Sequence, residues 1–158
     1  MIRIIGIGKL KEKATLALYE EYVKRISLYS KIETIEVPDM KIPDKVSDKE
    51  VTQILQKEGK AVLDKIKSDE YVILLDLHGK MMSSEAFAEH LENVFVRGKS
   101  TITFVIGGSL GVSSELVERA DLRFKMSDLT FPHQIVRVLL AEQIYRAYTI
   151  QKGITYHK

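Results

Sequence analysis

The spacing of apolar and polar positions predicts strands and helices in alternation along the whole chain. Arg3 to Ile7 is short, β-branched and closed by Gly6 and Gly8, the pattern of a buried strand. Leu16, Tyr19, Val23 and Ile26 then recur at intervals of three and four, which predicts a helix. Ile32 to Val37 alternates apolar with polar, as a strand near a sheet edge does. Pro38 to Val46 holds two prolines and reads as the longest loop, an exposed flap. Ser47 followed by Glu50 fits a capping box that opens a helix to about Ile66, with Val51, Ile54, Leu55, Val62 and Ile66 as its stripe. Tyr71 to Asp76 is almost continuously apolar, as a strand buried on both faces must be.

The second half repeats the alternation. Ser83 and Ser84 can cap a helix that runs to about Arg97 and stops at Gly98. Thr101 to Ile106 is another buried strand, and it breaks into Gly107-Gly-Ser-Leu-Gly111. Ser113 to Glu115 caps a short helix through about Ala120, Leu122 to Met126 is the last strand, and Pro132 opens a helix from His133 to about Lys152. Alternating strands and helices predict an α/β fold: a parallel sheet with helices on both faces. Neither a repeat nor a linker divides the chain, so residues 1–158 read as one domain.

Composition narrows the chemistry. At 158 residues with 45% hydrophobic and 29% charged, this is an ordinary globular chain. The absence of Cys excludes disulfides, thiolate metal sites and Cys nucleophiles. No apolar run approaches the roughly 20 residues that span a bilayer, and no signal pattern opens the chain, so a cytoplasmic location without membrane contact is expected. A formal charge of +2 does not announce a nucleic-acid binder. Two local basic patches, Lys9, Lys11, Lys13 and Arg137, Arg146, Lys152, Lys158, suit either phosphate contact or a solvated face.

Three segments carry candidate chemistry. Gly107 to Gly111 matches neither G-x-G-x-x-G nor a P-loop, which disfavours a dehydrogenase or an NTPase. It is either a plain strand-to-helix turn or a ligand loop, and Asp76 at the end of another buried strand favours the ligand. Met126 to Phe131 lies outside any element, so its backbone groups are free for a flat heterocycle, unless Leu129 and Phe131 merely plug the core. The last helix shows a broad apolar band (Ile135, Val136, Leu139, Leu140, Ile144, Ala147, Tyr148) that suits a twofold partner or a central helix. Glu142 and Arg146 stand at the i,i+4 spacing of an ordinary ion pair. The tail Tyr156-His-Lys158 is either frayed or an RNA-facing edge.

Taken together, Leu75-Asp76, Val105 to Gly111, Leu129-Thr-Phe-Pro-His133, Arg137 to Ala147 and Tyr156-His-Lys158 closely resemble one family, with Gly8 to Glu12 and Lys57 to Gly59 fitting as well. It is the large-subunit ribosomal RNA pseudouridine-N3 methyltransferase family of the SPOUT superfamily, and the resemblance spans the chain. It implies a C-terminal trefoil knot, which no pattern in the sequence demonstrates. It also implies S-adenosylmethionine, without a metal, as methyl donor. Leu75, Gly107, Gly108, Met126, Ser127, Asp128, Leu129, Thr130 and Phe131 are the expected cofactor contacts, and the glycines are explained as making room for that cofactor. The further implications are a homodimer and methylation of N3 of a pseudouridine in 23S ribosomal RNA on the assembled ribosome. His157 and Tyr156 are expected at the reacting base, with Arg137 holding RNA charge and His133 positioning the cofactor loop. Rival readings are a ribosome-binding module without cofactor and a transfer-RNA methyltransferase; the chain's small size, with no added RNA-binding domain, disfavours the latter.

Overall fold

A computed structural model describes all residues from Met1 to Lys158. Its elements follow in the order β1 (Ile2–Ile7), α1 (Lys13–Ser27), β2 (Ile32–Val37), α2 (Asp48–Leu63), β3 (Tyr71–Lys80), α3 (Ser84–Val96), β4 (Ile102–Ile106), α4 (Ser114–Arg119), β5 (Leu122–Phe124) and α5 (His133–Gln151). The strands form one five-stranded sheet in the order β2-β1-β4-β3-β5, with every pair parallel. β2 is an edge strand, as its alternating pattern implied.

The period-two geometry of a strand sends successive side chains to opposite faces, and both faces are apolar. Ile2, Ile4, Ile73, Ile102, Phe104 and Ile106 join α1, α3 and α5 in the larger core. Ile5, Ile7, Val72, Leu74 and Val105 join α2 and α4 in the smaller one. Helices therefore cover both faces. The caps fall where the sequence placed them: Ser47 forms a complete capping box with Glu50, and Ser83 and Ser113 accept from the backbone N–H groups of Ala86 and Leu116.

Three details differ from expectation. β3 does not stop at Asp76; it shifts register so that Leu75 and Lys80 both pair with Phe124, and residues 76–79 bow out between them. Pro132 is the N-cap of α5 rather than a first-turn residue, with an extended ψ of 138°. Most of the apolar band of α5 is spent inside the subunit. Leu140, Ile144 and Ala147 are buried, and Tyr148 stacks on Tyr29 with centroids 5.7 Å apart. α5 packs against both α1 and α3, which is why one helix needs so wide a stripe. Ile135 alone of the band stays exposed.

Candidate functional site

The loops after β3, β4 and β5 meet at the C-terminal edge of the sheet, where open α/β sheets collect ligands. They enclose a cavity of about 960 Å³, large enough for a drug-sized molecule. Leu75, Gly107, Gly108, Met126, Ser127, Leu129, Thr130 and Phe131 all line it, and Asp76 and His133 complete the wall. Asp128 is the exception and a correction to the expected set: its exposed side chain pairs with Lys125 instead. Asp76 is also committed. It accepts from Arg123 at 2.7 Å and from the His78 N–H at 2.9 Å, so it braces the wall rather than offering a free carboxylate.

The cavity is walled by backbone as much as by side chains. No backbone–backbone hydrogen bond involves residues 126–131, and the Leu129 N–H reaches only the Ser127 hydroxyl at 3.0 Å. A run of six such peptides beside a cavity is a row of donors and acceptors awaiting a partner. Gly107 is required for a reason other than the one expected. A β-carbon there would sit 2.6 Å from Val112 Cγ1 and 2.9 Å from the Gly111 carbonyl oxygen. The loop folds on itself, and that turn, before any ligand, excludes a side chain.

Arg137 belongs to neither the cavity nor an RNA-facing surface, which corrects the role expected for it. It is 0% exposed, one Nη donates to Glu36 at 3.0 Å, the other donates to the Gly8 carbonyl at 2.8 Å, and Nε has no partner. It lies over Gly6, where a β-carbon would come within 2.5 Å of the guanidinium. A cation so enclosed ties α5 to the end of β1; it cannot reach a phosphate.

Tyr156 and His157 do come together, and they join the Glu142–Arg146 pair to Glu85, a partner that the pattern of the sequence left unmarked. The Arg146 guanidinium lies 4.8 Å from the Tyr156 ring centre, donates to Glu142 at 2.6 Å, and meets His157 Nδ1 at 3.1 Å. Tyr156 donates its hydroxyl to Glu142 at 3.1 Å. His157 Nε2 stands 2.8 Å from Glu85. Because a guanidinium only donates, Nδ1 must accept, so the proton of the neutral ring lies on Nε2 toward Glu85. Burial, then Tyr22 and Glu142, push the Tyr156 phenol up, so it remains a neutral donor. The helix-end backbone amide of Glu85, then His157 and Ser83, draw the Glu85 carboxyl down to about 2. Arg146 was legible only as an i,i+4 pair, and nothing in sequence distinguished Glu85 from other helix-start acids.

Tail cluster and cavity are separate within one chain. Val136 is the last residue of α5 to line the cavity, and Arg146 stands ten residues, or roughly 15 Å of helix, beyond it.

A glycine-broken strand, a backbone-lined cavity at the C-terminal edge of a parallel sheet and a polar tail define an α/β protein with a ligand-sized cleft where such sheets carry their sites. Residues 1–157 match the family model described as "Predicted SPOUT methyltransferase". A Clostridium perfringens protein named "Ribosomal RNA large subunit methyltransferase H 1" is 53% identical over 157 residues, covering 99% of each chain. An Enterococcus faecalis protein named "Ribosomal RNA large subunit methyltransferase H" is 48% identical with the same coverage. Among solved structures, "a probable methylase family protein from Haemophilus influenzae Rd KW20" aligns with a TM-score of 0.53 at 13% identity, covering 96% of this chain and 66% of that one, a likeness of fold. This chain belongs to the SPOUT methyltransferase family. No helix is long and apolar enough to cross a membrane.

Proposed function

We propose that the chain, as a single domain, is a cytoplasmic enzyme that methylates N3 of a pseudouridine in 23S ribosomal RNA on the assembled ribosome. S-adenosylmethionine is the donor. The names of relatives near 50% identity over full length support the RNA class. The observation that carries the cofactor reading is the cavity edged by the loop 126–131, whose peptides have no backbone partners and whose residues all line it except Asp128. An adenine edge needs backbone donors and acceptors, and its faces need apolar walls such as Leu75, Ile106, Leu129 and Phe131. The residues present fit the group.

Bound there, S-adenosylmethionine supplies a methyl already activated by its sulfonium charge. What the protein must add is position, for which about 7–11 kcal/mol is available in well-oriented reactions, and an environment in which the imide N3 gives its proton to solvent before its lone pair takes the methyl and the thioether leaves. Arg146, not Arg137, is the cation placed to favour that loss. Held by Glu142 and stacked on Tyr156, it is fixed before substrate arrives. His157 accepts from Arg146 and is steadied by Glu85, so it orients the guanidinium. The roughly 15 Å of helix between cavity and cluster supports a homodimer in which a second copy of the chain completes each site.

The test is tritium transfer from labelled S-adenosylmethionine to ribosomes from a strain lacking the enzyme. Label in the large-subunit RNA, located at N3 of a pseudouridine, is the expected result. Label confined to bulk transfer RNA, or none in ribosomes, contradicts the reading.

A further inference from the structure

At the other end of the sheet lies a second cavity of about 220 Å³, lined by Tyr71, His90, Asn93, Val94, Arg97 and Lys99. His90, Asn93, Val94 and Arg97 follow the i, i+3, i+4, i+7 spacing of one helix face, so the end of α3 presents a polar stripe toward the start of β3. No carboxylate lines the cavity. The Arg97 guanidinium is exposed and has neither a hydrogen bond nor an ion pair, and Lys99 Nζ donates only to the Asp69 carbonyl at 3.0 Å. Asp121, near Tyr71, is already taken by Arg119 at 3.2 Å and by the Val72 N–H at 2.8 Å. Tyr71 and His90 meet at 3.1 Å and add neutral hydrogen-bonding groups. Burial, then Lys80 and Arg97, hold His90 below its ordinary value, so it does not add to the cationic charge.

We propose that this cavity is an anion site that takes a phosphate group of the ribosomal RNA backbone, away from the base being methylated. The RNA source rests on the function proposed above; the anion chemistry does not. Two cations without carboxylate partners, an amide, an imidazole and a phenol around a small cavity are the donor set of a phosphate. From Tyr71 to Leu75 the strand spans roughly 13 Å, about two nucleotides' reach, so an RNA held here stays within range of a base presented at the cofactor cavity.

The experiment has two arms. In the first, the full chain is titrated with potassium phosphate, against potassium chloride at matched ionic strength, while the histidine rings are followed by NMR. The His90 signals should move and its titration should shift upward, and the double variant Arg97→Ala/Lys99→Ala should abolish both changes. In the second, methylation of ribosomes is measured as a function of salt. The double variant should raise KM for ribosomes and flatten the log–log salt dependence by roughly 0.7–0.9, the share of one phosphate, with kcat and S-adenosylmethionine affinity unchanged; Arg97→Lys should recover part of the loss. No phosphate effect on His90 overturns the site. A phosphate effect with unchanged ribosome KM and salt slope overturns the RNA source and leaves free phosphate as the ligand. If wild-type protein labels no ribosomes, the functional reading fails, and the phosphate arm still decides the anion site.

Discussion

The cofactor cavity and the tail cluster are built from opposite materials. The cavity is made by backbone: a self-closing glycine turn and six peptides without backbone partners between β5 and α5. The cluster is made by side chains from three places, Glu85 on α3, Glu142 and Arg146 on α5, and Tyr156 and His157 on the tail, each paired with another. Backbone sites bind shapes and tolerate side-chain change except where a β-carbon intrudes. Side-chain networks place charge, and lose it when one member is removed. Binding and chemistry should therefore separate by mutation.

The sharpest separation is expected at the tail. His157→Ala, by releasing the Arg146 guanidinium, should lower methyl transfer by about 100-fold while leaving S-adenosylmethionine affinity within about twofold of wild type, since His157 does not line the cavity. Equal losses of binding and turnover would dissolve the distinction. Gly107→Ala should act in reverse: the 2.6 Å approach to Val112 forces the turn open, at about 1–3 kcal/mol, which calorimetry should read as a cofactor roughly 5- to 150-fold weaker. Ser47→Ala lies in neither region and should cost only stability, about 1 kcal/mol, visible as a lowered Tm with unchanged cofactor affinity.

The smallest effect is a pH dependence. Glu85 titrates at about 2 when folded, below the ~4.3 of an unfolded Glu. Its contribution is thus complete above the unfolded value and disappears as pH falls toward 2. Denaturation followed between pH 6 and pH 3 should show a shallower loss of stability for Glu85→Gln than for wild type. An identical slope would mean that the tail is not anchored there.

How much was legible follows the same division. Caps, glycine breaks and apolar periodicity are local signals, and they placed the strands, the Ser47 box and the two loops, 107–111 and 126–131, that border the cavity. The double pairing of Phe124 with Leu75 and Lys80 is not local, and no period in the chain encodes it. Arg137 was misjudged although its burial was readable. It stands three and four residues before Leu140 and Ala141 on the buried stripe of α5, and its charge outweighed its position. Arg146 was passed over because an i,i+4 partner suffices for an ordinary surface pair. Only the return of the tail, with Tyr156 on its face and His157 at its edge, marks it out.

The central claim is that each reaction site joins the cavity of one copy to the tail cluster of another. Mixing Gly107→Ala with His157→Ala subunits, unfolded and refolded together, tests it directly. Heterodimers then hold one site with an intact cavity and an intact tail from different chains, and an equal mixture should regain about a quarter of wild-type methylation. Activity no greater than that of the two variants measured separately would place cavity and tail in the same chain and contradict the account.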